Sequence, residues 1–300
     1  MITTSSLSTG QPGARHPAGV EVRLHDDLEE LAALARPLLH ADPVRNTLAV
    51  TVLDRLRGEA GVGADLISVR AGGVVLGVAL RSPDRPLVVS ALPEPCAAPV
   101  DAALAAAGRH PTGLTGPTAR AEAFAAARTA RTGERVRVAL RLRLFALADL
   151  VAPSGVRGRA RPAAAPDADL VARWHRAFAE EAFGERPASP SGPAPAPEPG
   201  QTLWEVDGKP VALASTRAPV AAMSRIGPVY TPPGARGNGY GTAVTAAAAA
   251  WALTASARHI VLFTDLANPV SNRIYPRIGF RPVEDAAELI FAGGEAGSGP

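Results

Sequence analysis

The fold of this chain is decided by the segment Val229-Tyr230-Thr231-Pro232-Pro233-Gly234-Ala235-Arg236-Gly237-Asn238-Gly239-Tyr240-Gly241. Residues 221–231 predict a strand, and the two prolines that follow lack amide donors, so the chain must leave the sheet there. The glycines allow positive φ values and let backbone N–H groups point toward one site. A helix that begins near Gly239 adds unpaired N–H groups and the positive end of its dipole. The segment therefore predicts a site for an anion such as a pyrophosphate, with Arg236 as a charged clamp.

Two other phosphate-binding motifs fail on the same residues. A dinucleotide fingerprint needs a glycine at its sixth position, but that position is Thr242 when counted from Gly237 and Val244 when counted from Gly239. A P-loop needs a lysine followed by Ser or Thr, and Lys209, the only lysine, lies far upstream. Neither motif explains the glycines.

A second polar motif follows a short apolar strand predicted at residues 259–264. Asn268 precedes Tyr275 by seven positions, with Asn272 between them. This helical spacing predicts that the three side chains share one polar face of a short helix. The opposite face is predicted to be buried and consists of Val270, Ile274 and Ile278.

Together, the two motifs resemble those of the GNAT superfamily of N-acetyltransferases. The spacing Arg236-x-x-Gly239-x-Gly241 resembles the coenzyme A loop of that superfamily, and the asparagine and tyrosine followed by Gly279-Phe280 resemble its second signature. The resemblance covers residues 155–291. It implies an α/β fold with a mixed, mostly antiparallel twisted sheet flanked by helices, and it implies acetyl-CoA as the cofactor of an N-acetyltransferase.

The resemblance also implies roles for individual residues. Tyr275 would be the catalytic acid that protonates the departing thiolate after a neutral amine attacks the thioester. The amides of the glycine segment would hold the pyrophosphate, and backbone groups of the strand before it would pair with the pantetheine arm. The residues expected to contact the cofactor are Val229, Tyr230, Thr231, Arg236, Gly237, Asn238, Gly239, Tyr240, Gly241, Asn268 and Asn272.

The general base and the acceptor stay open at this point. Residues 223–226 contain no carboxylate, so the base is either an ordered water relay or one of four nearby acids: Glu180, Glu181, Glu205 and Asp265. The missing carboxylate also leaves two alternatives to an enzyme. One is an acetyl-CoA-binding regulator without turnover, and the other is a scaffold whose first half binds another protein. For an enzyme, the partner would be a small-molecule or peptide amine.

Composition excludes several other classes of protein. The chain has 300 residues, a formal net charge of +3 and 47% hydrophobic residues, which is enough for two domains with buried cores. Its basic residues are scattered and no aromatic stripe accompanies them, so no nucleic acid is expected. Cys96 is the only cysteine, and the six histidines have no ligand spacing, so no metal site is expected. The longest apolar stretch, at 242–257, is too short and alanine-rich for a membrane span. We predict a cytoplasmic monomer or homodimer.

The order of predicted elements suggests two related halves. Residues 68–79 and 204–214 each predict a strand, a glycine turn and a strand, but the first half has no arginine-glycine segment after its third strand. We predict a degenerate GNAT-like domain at 20–152 and a GNAT acetyltransferase domain at 153–292. A leader at 1–19, a Pro-rich loop at 185–200 and a tail at 293–300 are predicted to be disordered or mobile. Predicted helices cover 28–39, 44–56, 100–107, 119–132 and 167–183, and predicted strands cover 65–69, 74–79, 86–92, 135–147, 158–161, 201–206 and 210–215.

Overall fold

The computed structural model describes residues 19–58, 63–83, 85–184 and 194–292. Within these ranges the chain forms an α/β structure around one sheet. Three predictions fall largely or wholly outside the described residues. They are the leader at 1–19, the Pro-rich loop at 185–200 and the tail at 293–300.

The first half of the chain starts with a strand and ends with a long strand. Its elements are β1 (Val20–Leu24), α1 (Leu28–Ala41), α2 (Thr47–Gly58), β2 (Asp65–Ala71), β3 (Val74–Arg81), β4 (Leu87–Ala91), α3 (Ala97–Ala106), β5 (Gly113–Pro117), α4 (Thr118–Thr132) and β6 (Arg135–Leu147). Asp27 caps α1 by accepting the N–H groups of Glu29 and Glu30. Gly72 and Gly73 have φ angles of 56° and 81°, which is the left-handed geometry that a tight hairpin between β2 and β3 requires.

The second half repeats this order with one helix fewer after its first strand. Its elements are β7 (Arg159–Pro162), α5 (Ala168–Phe183), β8 (Gln201–Val206), β9 (Lys209–Thr216), β10 (Met223–Tyr230), α6 (Tyr240–Thr254), β11 (His259–Asp265), α7 (Pro269–Arg277) and β12 (Phe280–Ala292). The hairpin between β8 and β9 turns at Asp207 and Gly208, as its Asp-Gly pair predicts. The matching order of elements supports the predicted relation between the halves.

All twelve strands of the described residues belong to one sheet, and the halves exchange strands at its centre. The sheet order is β1-β2-β3-β4-β5-β12-β6-β11-β10-β9-β8-β7. The last strand of the second half, β12, lies between β5 and β6 of the first half, and β6 lies between β12 and β11 of the second half. Only the pairs β4–β5 and β10–β11 are parallel. The predicted mixed, mostly antiparallel sheet is therefore confirmed.

Helices cover both faces of the sheet. We call the face covered by α1, α2 and α5 the front face, and the face covered by α3, α4, α6 and α7 the back face. On the back face, α6 packs against the small side chains of Ala212 and Ala214, because its own buried residues are mostly alanine and allow close approach. On the front face, the core of α1 and α2 reaches across the sheet to Leu144, Met223 and Val261. The helices of the first half therefore cover part of the second half.

Three strands were missing from the predictions. They are β1, β5 and β12. The sequence of β5, Gly-Leu-Thr-Gly-Pro, contains the residues that usually end strands. The structure explains its glycines, since a Cβ at Gly113 would lie 2.7 Å from the carbonyl oxygen of Leu289, and one at Gly116 would lie 3.0 Å from Val89. The predicted boundary between 152 and 153 lies in the segment that joins β6 to β7, and the sheet continues across it.

The exchange of β12 makes a testable prediction about cooperativity. Leu289 lies on β12, but its side chain is buried in the core of the first half together with Leu114 and Phe124. Leu289→Ala should lower the free energy of unfolding by about 2–5 kcal/mol. The three tryptophans all lie in the second half, and Cys96 is buried in the first half. Urea titrations that follow tryptophan fluorescence and thiol labelling of Cys96 should shift together. Two separate midpoints would show that the halves unfold independently.

Candidate active site

The parallel strands β10 and β11 separate at one end, and the separation creates the centre of the candidate site. Their pairing runs from Met223↔His259 to Ile226↔Leu262 and then stops, while β10 continues to Tyr230. On the other side, β10 stays paired with β9, and its register shifts between Ile226 and Val229. This bulge turns β10 away from β11, as the Gly227-Pro228 sequence predicts. On the side of β10 that faces β11, the backbone of Val229 and Tyr230 consequently borders a gap. On the other side it stays paired with β9.

The glycine segment at the end of β10 has the geometry of an anion cradle. Gly237 and Gly239 have φ angles of 82° and 79°, which are accessible mainly to glycine. Gly239 is the residue before α6, and a Cβ at Gly241 in its first turn would touch Thr231. No backbone N–H from residue 237 to residue 242 donates to a backbone acceptor within the described chain. These amides, with the positive end of the α6 dipole, form a site for a bound anion.

Arg236 lies at the edge of the cradle, but its charge already has a partner. Its Nε donates to the carbonyl oxygen of Thr231 at 2.8 Å, and its Nη2 lies 2.5 Å from Oε2 of Glu181 on α5. The hydroxyl of Tyr230 donates to the other oxygen of Glu181 at 3.1 Å. The side chains of Arg236 and Glu181 are 49% and 45% exposed, so solvent screens this pair. Tyr230 therefore points toward α5, and only its backbone faces the gap.

Tyr275 lies beside the gap on the back face. Its side chain is 6% exposed and packs edge-on against Phe145 and Phe280, with ring centroids at 6.1 and 6.2 Å. Burial raises the pKa of its phenol to about 12, and a hydrogen bond with Ser271 lowers it by a smaller amount. The phenol therefore keeps its proton at neutral pH. The predicted polar face is wrong for this residue, because Tyr275 is buried with Ile278, while Val270 is 57% exposed.

The two asparagines brace the turn between β11 and α7. Asn268 caps the helix, since its Oδ1 accepts the N–H groups of Val270 and Ser271 at 3.1 Å each. The Nδ2 of Asn272 donates to the carbonyl oxygens of Asp265 and Asn268 at 2.9 and 2.8 Å. Its Oδ1 is buried and accepts no hydrogen bond from the residues that the structure describes. Asn272 thus presents an unsatisfied acceptor, which suits an amide N–H of a ligand.

The remaining predicted cofactor residues lie around the same gap. Asn238 uses its side-chain amide to brace the cradle, with its Nδ2 3.1 Å from the carbonyl oxygen of Arg236. Tyr240 opens α6 and packs partly against the back-face core, as Val229 does. The structure therefore brings the predicted residues together at one end of β10 and β11. Backbone groups, more than side chains, face the gap.

The first half has the corresponding parallel strands, β4 and β5, and their pairing also ends early, after Val88↔Thr115. Arg120, at the start of α4, reaches across and donates from Nη1 to the carbonyl oxygen of Ser90 on β4. After β4 the chain reads Leu92-Pro93-Glu94-Pro95-Cys96 and enters α3 without a glycine cradle. All three tyrosines of the chain lie in the second half. That the first half holds no cofactor site stays a prediction.

A histidine that the sequence analysis did not select lies on the front face of the site. Nε2 of His175, on α5, is 2.8 Å from the hydroxyl oxygen of Ser215 on β9. Ser215 lies between Ala214 and Thr216, the residues that pair with β10 on either side of its bulge. Burial lowers the pKa of His175, and the charge of Glu198 raises it by a smaller amount. The imidazole is therefore neutral near pH 7 and can accept a proton.

None of the four acids considered as bases is free of other interactions. Glu181 binds Arg236 and Tyr230, and Glu205 binds Arg161 at 2.7 Å. Asp265 accepts the N–H of Ala267 at the end of β11. The fourth acid, Glu180, is exposed on the last turn of α5.

The described ranges contain neither a candidate metal site nor a candidate membrane span. No cluster of His, Cys, Asp and Glu there has the arrangement of a metal site. None of the helices described is long and apolar enough to cross a membrane.

Comparisons with known proteins identify the family of this site. Residues 168–280 match the model of the Acetyltransferase (GNAT) family. No curated protein sequence matches the chain significantly. This part of the chain is a GNAT acetyltransferase domain, in agreement with the resemblance of its motifs.

Solved structures extend the similarity to both halves. A GCN5-related N-acetyltransferase from Sphaerobacter thermophilus is 18% identical, with a TM-score of 0.58 over 91% of this chain and 95% of that chain. A tandem GNAT protein from the clavulanic acid biosynthesis pathway is 16% identical, with a TM-score of 0.54 over 92% and 99%. A GCN5-related N-acetyltransferase from Kribbella flavida is 24% identical, with a TM-score of 0.53 over 74% of this chain and 90% of that chain. At these identities, the similarity shows a shared fold.

The pair of Arg236 and Glu181 yields a prediction for cofactor binding. Arg236→Gln should weaken coenzyme A binding roughly tenfold, because a charged donor beside the phosphates is lost. Glu181→Gln should tighten binding by roughly fivefold, because it releases the guanidinium and removes about 1 kcal/mol of repulsion near the cradle. Isothermal titration calorimetry measures both changes.

A matched control is available on the surface of β6. Arg143 forms a comparable pair with Asp285 at 2.7 Å, outside the cradle. Arg143→Gln should therefore bind coenzyme A as the wild type does. If Arg236→Gln also binds normally, the arginine only braces α5 against the end of β10, and its role as a clamp is wrong.

Proposed function

We propose that the chain transfers an acetyl group from acetyl-CoA to an amine, at one site in its second half. The observation that carries this proposal is the row of unpaired amides at 237–242, placed where β10 and β11 separate. The site offers backbone donors for an anion and a strand edge for an extended arm. Tyr275 lies on the other side of the same gap. We expect no second cofactor site in the first half, which lacks a glycine cradle and where the guanidinium of Arg120 donates to the carbonyl oxygen of Ser90.

The residues present fit coenzyme A in several independent respects. The amides of Gly237 through Gly241 and the guanidinium of Arg236 would hold the pyrophosphate. Backbone groups of Val229 and Thr231 would pair with the pantetheine arm, and the buried Oδ1 of Asn272 would accept an N–H of that arm. Acetyl-CoA supplies an acetyl group that is activated as a thioester.

In the proposed reaction, the nitrogen of a neutral amine forms a bond to the acetyl carbon, and the carbon–sulfur bond breaks. The proton that the nitrogen loses passes through the Ser215 hydroxyl to Nε2 of His175. An N–H of β10 near the bulge stabilises the oxyanion. His175 fills the role that the sequence analysis left open, and it replaces the carboxylate that residues 223–226 lack.

We propose that Tyr275 stabilises the departing thiolate by donating its phenol hydrogen. A phenol with a pKa near 12 is a weaker acid than an ordinary thiol of pKa about 8.5. Complete transfer of its proton is therefore uphill in the free site, and hydrogen-bond donation to the developing charge is its larger contribution. The thiolate then gains its proton from the tyrosine or, through solvent, from His175.

The alternative of a regulator without turnover remains testable, and its test is the same experiment. A panel of amines incubated with acetyl-CoA, with release of the coenzyme A thiol as the readout, distinguishes an enzyme from a cofactor-binding regulator. Coenzyme A binding without any acetylated product would establish the regulator. Absence of both would leave a scaffold, the third class that the sequence keeps open.

We further propose a cytoplasmic location and a monomeric or homodimeric state. Cys96 is buried, and burial raises the pKa of its thiol, so the cysteine is protected and unreactive. A chain with one such cysteine suits a reducing compartment. Fractionation of the source cells tests the location, and light scattering tests the oligomeric state.

Tyr275→Phe tests the role of the phenol. The variant keeps the ring and its packing against Phe145 and Phe280, so coenzyme A affinity and the melting temperature should persist. Turnover should fall roughly 10²-fold, the usual scale for loss of one hydrogen-bond donor to a developing negative charge. Ser271→Ala is the matched control, because it removes the intrahelical partner and leaves the phenol in place. Turnover that survives in Tyr275→Phe would show that the phenol does not act on the leaving thiolate.

His175→Gln tests the proposed base. Since burial lowers the pKa of His175, the wild type should be active above this pKa and lose kcat as pH falls through a value below about 6.5. The variant should lose about 10²-fold in kcat and should no longer show this acidic limb. Glu198 faces the imidazole, so Glu198→Gln should move the limb to lower pH. An unchanged acidic limb in His175→Gln would assign it to another group.

A further inference from the structure

Three arginines converge on the front face of the site. Arg225 lies on β10, Arg217 follows β9, and Arg55 lies on α2 of the first half. The backbone N–H of Arg217 donates to the carbonyl oxygen of Arg225 at 3.2 Å, which fixes the first two beside each other. Arg55 donates from Nη2 to the hydroxyl of Ser82 at 2.7 Å, at the other side of the cluster. We call these residues the arginine cluster.

Arg225 differs from many other described arginines in having no acidic partner. Arg161, Arg131 and Arg143 all bind carboxylates at 2.7 Å. Among the described residues, the side chain of Arg225 makes no hydrogen bond and no ion pair. Arg225 is partly buried, and desolvation first, then the charges of Arg217 and Arg55, lowers its pKa to about 10. A guanidinium held in this way is an unsatisfied site for an anion.

The position of Arg225 places the cluster at the reacting end of the gap. It pairs with Val261, one residue before the last pair of the β10–β11 ladder. Its side chain lies on the front face, as does the neighbouring Met223, whose sulfur accepts a hydrogen bond from Thr47 of α2. Ser215 lies on β9, and Arg217 lies two residues later, where the chain still pairs with β10. Both side chains therefore point to the front face. The cluster therefore lies on the same side of the sheet as His175 and Ser215.

An anion bound by the arginine cluster would not be the pyrophosphate of the cofactor. Arg225 lies five residues before Tyr230, which corresponds to about 16 Å along a strand. The cradle lies beyond Tyr230, at the other end of the gap, and α6 lies on the opposite face of the sheet. A cofactor whose phosphates occupy the cradle leaves the arginine cluster to the other substrate.

We propose that the arginine cluster binds an anionic group of the amine acceptor, so that the acceptor is an amine that carries a carboxylate or a phosphate. This inference rests on the proposed acetyl transfer and specifies its substrate class. The planar guanidinium of Arg225 suits bidentate contact with either group. The first half contributes Arg55 and the α2 wall, so the acceptor lies between the halves. Its amine then reaches Ser215 and His175.

Paired acceptors test the substrate class. Each pair has one amine with an anionic group and one without: 4-aminobutyrate with 4-aminobutyramide, and phosphoethanolamine with ethanolamine. The anionic member should have a kcat/KM at least roughly tenfold higher, because the neutral member leaves buried donors unpaired. Preference in only the first pair identifies a carboxylate, and preference in only the second identifies a phosphate. Equal rates within both pairs would overturn the inference and leave acetyl transfer intact.

Variants of the arginines test whether the arginine cluster causes the preference for anionic acceptors. Arg225→Gln should raise the KM of the preferred acceptor roughly tenfold or more, with little change in that of acetyl-CoA, and Arg225→Lys should recover part of the loss. Arg217 is exposed, so Arg217→Gln should fold normally and raise the same KM. Arg137, exposed on β6, provides the control Arg137→Gln with wild-type kinetics. An unchanged KM in both Arg225→Gln and Arg217→Gln would overturn the assignment.

A binding measurement separates this inference from the proposed function. With the cradle saturated by coenzyme A, inorganic phosphate should raise the melting temperature of the wild type and of Arg137→Gln more than that of Arg225→Gln. If no amine is acetylated but this difference remains, the acetyl-transfer proposal fails and the anion site stands. If the phosphate effect is the same in all three proteins, the anion site fails.

Discussion

The central pairing of β6 with β12 is the interaction on which the rest of the structure depends. The two strands pair from Phe280↔Leu147 to Ala292↔Arg135, so each half receives its neighbouring strand from the other half. A sheet of this kind cannot be divided at residue 152 without breaking the ladder on both sides. The exchange also places β11 next to β6 and holds it there through Asp265. Because β11 is fixed, the bulge in β10 opens a gap between these two strands.

The two halves differ in what lies beyond the paired part of their parallel strands. In the first half, Arg120 donates across the ends of β4 and β5 to Ser90, and Gly116 brings β5 close to Val89 and to the backbone of Ser90. In the second half, the strands separate and the glycines of the cradle leave their amides unpaired. The first half has instead become a wall, since α2 covers Met223 and supplies Arg55. In the proposed acetyl transfer, the first half would thus form part of the acceptor side.

Local features of the site could be predicted from sequence, and long-range partners could not. The cradle follows from prolines, glycines and a helix start within one segment, and the structure reproduces its positive φ angles. The strands β5 and β12 were missed because β5 is rich in residues that break strands, while β12 belongs to the first half only through the exchange. Glu181 as the partner of Arg236, and His175 as the partner of Ser215, depend on where α5 packs. No spacing in the sequence encodes that position.

The charges around the gap also have a common chemical consequence. An amine attacks a thioester only in its neutral form, and nearby positive charges disfavour its protonated form. The arginine cluster would therefore lower the pKa of a bound ammonium group. Burial separately lowers the pKa of His175. A cationic amine without an anionic group would be repelled by the same arginines. In an acceptor that carries a carboxylate or a phosphate, the anionic group offsets this repulsion by binding the arginines. The nitrogen at the other end of the same acceptor still lies in a region of positive potential. One cluster can in this way select the acceptor and favour the reactive state of its amine.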